Sequence, residues 1–294
     1  MAGASELREL RQRISSVEST KQITRAMEMI AASRIQRAIR RMEAARPYAE
    51  LIHEILRGLV ASEAVEDHPL LAPHDSIDRV AICVVTSDRG LAGAYNANVL
   101  QRSDQLIHRE ADDNDNDIAL FVTGTKGVRF YAFRDRPVEE AWTGFSEQPQ
   151  IEDAAPIADT LMRGYANEEF DRVWVVYTDF QSRIRQVPNA MQILPVDVEE
   201  LEGGEELPAE FMFEPDPEDI LDRLIPSYVE AKVYAALLES AASEHAMRQR
   251  AMSQATDNAE EMIDDLSRDL NQARQSAITQ EVSEIAAGAE ALAE

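Results

Sequence analysis

The sequence predicts an α/β protein: a long antiparallel coiled coil of N- and C-terminal helices plus a central Rossmann-like α/β domain. Three observations carry this expectation. Glycine and proline are absent between Gly3 and Pro47, and again between Pro226 and Gly288, so nothing in those stretches interrupts a helix. Apolar residues in both stretches recur three and four apart, the spacing of one helix face. The middle of the chain alternates short apolar runs with helical stretches, the pattern of strands joined by helices. The expected parts are an N-terminal helix over 1–60, a central domain over 61–226 and a C-terminal helix over 227–294.

The first stretch places Leu7, Leu10, Ile14 and Val17 on one stripe, continued by Ile23, Met27 and Ile30. The last stretch carries Ala255, Ala259, Met262, Leu266, Leu270, Ala273 and Ala277, then Val282 and Ile285. A helix of about 60 residues is roughly 90 Å long, more than a globular domain requires. One narrow apolar stripe does not stabilise such a helix alone, so each needs a partner along its length. The simplest partner for each is the other.

In the centre, RVAICVVT (Arg79 to Thr86) predicts a buried strand, followed by a helix to about Ile107. IALFVTG (Ile118 to Gly124) predicts a second strand and TKGVRFYAF a short helix. A helix is expected over Pro156 to Asn167, a third strand over Arg172 to Phe180, and a fourth in IRQVPNAMQILPV, broken by Pro188. Strands alternating with helices imply a sheet that is at least partly parallel. DDNDND at 112–117 and VEELEGGEELP at 198–208 are expected to be mobile, solvated acidic loops.

Charge separates these parts. The chain has 55 acidic and 29 basic residues, a net charge of −26, and its only lysines are Lys21, Lys126 and Lys232. That balance argues against nucleic acid or an anionic membrane surface as partner. Residues 1–60 hold 11 basic and 7 acidic residues, net +4; residues 61–226 are net −22 and residues 227–294 net −8. A basic helix kept in so acidic a chain suits an acidic partner.

No residue set argues for catalysis. SDRGLAGAYN (Ser87 to Asn96) follows a strand and opens a helix, where phosphate is often held. It matches neither GxGxxG nor GxxxxGK[ST], and Asp88 would repel an anion. Gly90 and Gly93 are equally explained as turn and packing glycines. GTKG (Gly124 to Gly127) is too short a signal to stand alone. Cys83, the only cysteine, lies in an apolar run and reads as a core thiol, which with no possible internal disulfide fits a reducing compartment. His53, His68, His74, His108 and His245 have no metal-ligand spacing. No cofactor and no metal are therefore expected. No run of 18 apolar residues and no basic-then-apolar leader occurs, so the expectation is a cytoplasmic protein without a membrane span. The residues alone leave two other readings open: a phosphate-binding enzyme with helical arms that dimerise, and a coiled-coil tether with the domain as spacer.

Three motifs carry a resemblance. LRELRQRISSVESTKQITRAMEMIAASRIQRA resembles the N-terminal helix of the γ subunits of F-type ATP synthases. SDRGLAGAYN is similar to that family's glycine turn, and AMSQATDNAEEMIDDLSRDLNQARQSAITQEVSEIAAGAEA to its C-terminal helix. Ala92 stands where the family usually has cysteine, and Arg34 where it usually has lysine. The resemblance implies a non-catalytic rotor shaft whose coiled coil sits in a hexamer of α and β subunits. Its α/β domain would lie beside the ε subunit, on the membrane ring of c subunits, at the cytoplasmic face of a bacterial membrane. ATP chemistry would occur on β, driven by proton or sodium flow through the ring. Met27 falls where the family passes the β lever loops, and Arg248, Gln275 and Thr279 where it contacts a further β loop. No long insertion of the chloroplast regulatory type is present.

An acidic, lysine-poor surface also suits high internal salt, where screening relieves self-repulsion. The melting temperature is expected to fall when salt is lowered from about 2 M to about 0.1 M. Thermal unfolding followed by circular dichroism checks this, and a melting temperature that holds or rises at low salt refutes it.

Overall fold

The computed structural model describes residues 2–61, 68–113, 115–196 and 217–291. The acidic stretch 198–208 lies outside them. Two helices dominate, α1 (Ala2–Ala61) and the last helix of the chain (Pro217–Ala291). Between them run β1 (Arg79–Val85), α2 (Tyr95–His108), β2 (Asp117–Thr123), α3 (Thr125–Phe133), β3 (Glu140–Trp142), α4 (Ile151–Ala166), β4 (Arg172–Phe180) and β5 (Gln186–Leu194). The last helix is then α5. It starts before Pro226, at Pro217, and a proline suits a helix start because its missing N–H has no partner to lose there. The chain forms two compact units, one of Met1–Ala31 with Gln249–Glu294, the other of Ala32–Arg248.

In the first unit the two helices pair antiparallel. Thr24 Oγ1 lies 2.8 Å from Thr256 Oγ1, and Lys21 Nζ 3.0 Å from Glu260 Oε1, so rising numbers on one helix face falling numbers on the other. The turned-in residues of α1 are Leu7, Leu10, Ile14, Val17, Lys21, Thr24, Glu28 and Ala31. Those of α5 are Met252, Thr256, Ala259, Ile263, Leu266, Leu270, Ala273 and Ala277. Both series step by three and four alternately, the 3.5-residue repeat of a left-handed coiled coil. The stripe expected from apolar residues alone is corrected here. Ile23 is 61% exposed, Ile30 52%, Met262 53% and Ile285 72%. A step of 3.5 from Val17 reaches residues 21 and 24, so polar Lys21 and Thr24 occupy the seam while Ile23 turns outward.

The second unit is a three-layer α/β domain with strand order β3-β2-β1-β4-β5. The first four strands are parallel, and β5 runs antiparallel to β4. Successive side chains of a strand point to opposite faces. Ala81, Cys83 and Val85 of β1 therefore join one core with α4, the end of α1 and the start of α5; Val80, Ile82 and Val84 join the other with α2 and α3. Cys83 is buried, and burial pushes its thiol up to about 12.

Several elements differ from the sequence expectation. α4 starts five residues before Pro156, because the Gln150 N–H donates to Asp153 Oδ2 at 2.8 Å and fixes the first turn. Pro188 does not break the fourth strand: it lies in β5 at the sheet edge, where no donor is required. Acidic residues near 112–117 are partly tied down. The Asn116 N–H donates to Glu110 O at 3.1 Å, and Asp117 opens β2 with its N–H on Asp78 O at 2.8 Å.

One carboxylate ties together the chain segments that leave the carboxyl ends of the parallel strands. Asp88, just past β1, accepts from the Thr125 N–H at 3.1 Å and Thr125 Oγ1 at 2.9 Å through Oδ1. Its Oδ2 accepts from the N–H groups of Gly144 at 2.9 Å and Ser146 at 3.1 Å. Burial raises the affinity of this carboxyl for a proton, but the four hydrogen bonds outweigh it and hold the group below its ordinary value of 3.8. Asp88→Asn replaces an acceptor by an N–H donor against these donors and is expected to cost about 1–2 kcal/mol, allowing for partial solvent access. Because the folded-state value is depressed, the contribution is complete above pH 3.8 and lost as pH falls below it. Urea unfolding of both proteins at about pH 7 and about pH 3 should show the difference shrinking in acid; a constant difference refutes the role.

Candidate functional site

The sequence nominates two regions, the glycine turn after β1 and the paired terminal helices. In the turn, Ser87 N–H donates to Asn96 Oδ1 at 3.0 Å, and Asn96 Nδ2 donates to Ser87 Oγ at 2.8 Å. Side chains thereby close the loop between β1 and α2. Gly93 takes φ 56°, the left-handed region open to glycine, while exposed Leu91 takes φ 60°. The second glycine motif presses on the first. Gly124 has φ 88°, and a Cβ there would lie 2.2 Å from Thr86 O, so α3 starts directly against the end of β1.

In doubly wound sheets ligands bind outside the carboxyl ends of strands where the strand order reverses. In this order the reversal lies between β1 and β4. That crevice is filled by the chain. Tyr95 is 1% exposed, and burial pushes its phenol far up. Ser240 Oγ of α5 accepts from the Thr178 N–H at 3.3 Å, and Ser243 Oγ donates to Thr178 O at 3.2 Å. What remains is a cavity of about 10 Å³, room for no more than one water. The donors at the start of α3 that would hold phosphate already hold Asp88. The turn is thus a closed structural junction.

A larger groove of about 850 Å³ runs between the second-unit parts of α1 and α5, with Arg41, Arg46, Lys232, Glu50, Glu230 and Glu239 among its lining. Both charge signs line it. Burial, then the like charge of Asp179, push the Glu239 carboxyl up to about 7.

The four expected contact residues fall in two places. Met27 is half-buried and Gln275 and Thr279 exposed, all in the coiled-coil unit. The last two stand one turn apart on α5, with Thr279 Oγ1 donating to Gln275 O at 3.0 Å. Arg248 belongs to the α/β unit and is 6% exposed. Its guanidinium donates to Glu244 Oε1 at 2.5 Å and to Gly90 O at 3.2 and 3.4 Å. Glu244 is fully buried, and burial pushes it up to about 7 against the opposing pull of Arg248. Burial likewise pushes His245 down to about 4, so its ring is neutral at physiological pH. The ring proton is on Nε2, which lies 3.0 Å from Glu147 O, an atom that can only accept.

Sequence reasoning missed Glu147, the carboxylate on which Arg34, Arg89 and Arg248 converge. The Glu244–Arg248 pair was visible as an i,i+4 spacing on a helix. Glu147 had no such signal: it is one of 55 acidic residues, in a segment between β3 and α4.

Comparisons with known proteins agree over the whole length. A family model described as ATP synthase matches residues 6–292. The chain is 50% identical to the ATP synthase gamma chain of Frankia casuarinae over 300 residues, covering 99% of both chains. It is 47% identical to that of Mycolicibacterium smegmatis over 305 residues, again covering 99% of both. Among solved structures, a chain of the central stalk and c-ring of the Tetrahymena thermophila mitochondrial ATP synthase superposes with a TM-score of 0.60 at 26% identity, over 79% of this chain and 99% of that one. A rotor chain of the Euglena gracilis mitochondrial ATP synthase superposes with a TM-score of 0.65 at 14% identity, over 94% and 99%; this second likeness concerns the fold. With two terminal helices around a Rossmann-like sheet, a filled ligand crevice and identity of this extent, the chain belongs to the gamma-chain family of ATP synthases.

Proposed function

We propose that this chain is the rotating central shaft of an F-type ATP synthase and has no catalytic site of its own. One observation carries the reading: the coiled coil turns apolar side chains away from its own seam. Ile23, Met29, Ile30, Met262, Ile278, Val282 and Ile285 are each at least half exposed. Single exposed apolar residues are ordinary, but a repeated set along one slender helix pair suits a surface enclosed by partners. Those partners are α and β subunits around the coiled coil, with ε and the c-ring at the α/β unit. Coupling then consists of ion flow turning the ring, the ring turning the shaft, and the uneven shaft altering nucleotide affinity at the three β sites in turn.

Within this reading Met27 faces the lever loops of β, and Gln275 and Thr279 offer neutral hydrogen bonds to a second β loop. Arg248, in the α/β unit, is set apart from these two, and its part in the β contact is to hold the glycine turn through Gly90, with Glu244 fixing its guanidinium. The basic first helix, net +4 over residues 1–60, meets acidic β surface. Among the described residues no helix is long and apolar enough to cross a membrane. The shaft's place is peripheral, at the cytoplasmic face of a bacterial membrane, held there by its complex. The net charge of −26 fits an assembly working at high internal salt.

Reconstitution tests the reading. Mixed with α and β subunits of the same organism at high salt, the chain should enter a complex substoichiometric to both, and ATP hydrolysis should appear only with it. A chain that stays apart, or joins without changing turnover, refutes the shaft. Met27→Lys adds a cation beside a contact that must form and release repeatedly. ATP-driven ion pumping per ATP hydrolysed is expected to fall by more than roughly half, the effect of about 0.4 kcal/mol or more on a two-state step. Unchanged pumping and synthesis refute the assignment of Met27.

A further inference from the structure

Glu147 has no place in the function as described so far, yet three arginines from three different elements of the α/β unit converge on it. Its Oε2 pairs with Arg34 Nη1 of α1 and lies 3.4 Å from Arg89 Nη1 of the glycine turn. Its Oε1 lies 3.5 Å from Arg248 Nη1 of α5, and its carbonyl oxygen accepts from His245 Nε2 at 3.0 Å. The neighbouring Ser146 binds Asp88 in both directions, by Asp88 N–H to Ser146 Oγ at 2.9 Å and Ser146 N–H to Asp88 Oδ2 at 3.1 Å. The segment carrying Glu147 thus holds the glycine turn, α1 and α5 at once. All these residues belong to one compact unit. Arg34 stands three residues inside its boundary on α1, and Arg248 is its last residue on α5.

Exposure decides which arms matter. The side chains of Arg248 and Glu147 are 7% and 17% exposed and that of Arg34 26%, so water screens these pairs weakly. Arg89 is 69% exposed and contributes little. Apolar packing alone is non-directional and allows a helix to roll or slide. The charge-assisted hydrogen bond from Arg34 has fixed geometry and resists both motions on α1; on α5 the His245 hydrogen bond to the Glu147 carbonyl and the Arg248 ion pair at 3.5 Å do the same. A twist of either helix against the sheet must stretch at least one arm that ends on Glu147.

We propose that Glu147 is a positioning residue that locks the glycine turn to the second-unit parts of α1 and α5, so that within this unit helices and sheet turn as one body. This rests on the shaft reading and adds to it the place, inside the α/β unit, where torque passes between its helices and its sheet. The test uses the reconstituted complex with α and β immobilised and a bead attached through Phe133→Cys, a position 90% exposed, the native Cys83 being buried. ATP should rotate the bead. Stalled, the bead should fluctuate in angle with a variance roughly two-fold larger in Glu147→Gln, which keeps the side-chain shape and removes the charge. Arg34→Met should give a similar rise, the double variant should be no worse than either single one, and Arg89→Ala should leave the variance unchanged.

A merely stabilising role would lower the yield of complex and leave the angular variance of assembled complexes unchanged; that result overturns the lock, as do additive effects of the two substitutions. Should Glu147→Gln fail to assemble, Arg34→Met alone decides by the same variance. A bead that never rotates with the unsubstituted lock overturns the shaft reading itself, and the lock with it.

Discussion

The 3.5-residue seam between the two terminal helices is the constraint on which the rest of the molecule depends. Helices of 60 and 75 residues have far more length than their apolar surface can stabilise singly. Paired, each shields the narrow stripe of the other. The outer ion pair between Lys21 and Glu260 adds little, because its carboxylate is 60% exposed. Burial of Leu7, Leu10, Ile14 and Val17 opposite Leu266, Leu270 and their neighbours does most of the work, with Thr24 and Thr256 satisfying each other inside the seam.

In the α/β unit the same economy of polar groups turns a fold known for binding ligands into a closed one. Three features that a nucleotide site would use are present in outline: a glycine turn, helix starts beyond the strands, and a reversal of strand order. Each is answered from within the chain. Asp88 stands where a phosphate would, Tyr95 fills the crevice, and Ser240 and Ser243 take the backbone groups of Thr178. A fold supplies positions, and the side chains at those positions decide whether they face a ligand or one another.

Much of this was legible in the sequence, unevenly. The terminal helices were clear from missing glycine and proline, and the strands at Arg79 and Arg172 from their continuous apolar runs. On α1 the seam was legible only up to Val17, whereas on α5 Ala259, Leu266, Leu270, Ala273 and Ala277 lie where the spacing puts them. Elsewhere the apolar residues Ile23, Ile30 and Met262 drew the expected stripe onto the outer face, because hydrophobicity marks burial by a partner chain as readily as burial within one. β3 is three residues, Glu140 to Trp142, too short for periodicity to register. The start of α4 at Ile151, ahead of Pro156, is set by a Gln150–Asp153 cap that departs from the usual Ser/Thr–x–x–Glu signal. Glu147 was invisible for a deeper reason: its meaning lies in three arginines 58 to 113 residues away, and no local pattern encodes that meeting.

The alternating three- and four-residue steps also make length equivalent to angle. Each residue of an α-helix turns the chain by about 100°. The seam fixes the azimuth of Lys21 and Thr24, and therefore that of Ile23 and Ile30 on the outside, with Met27 half-buried beside the seam. A substitution changes what a given bearing of the shaft presents; an inserted or deleted residue rotates every outer side chain beyond it out of phase with the seam. The outer profile of this coiled coil is thus a cam cut by residue count, more tolerant of new chemistry than of new length.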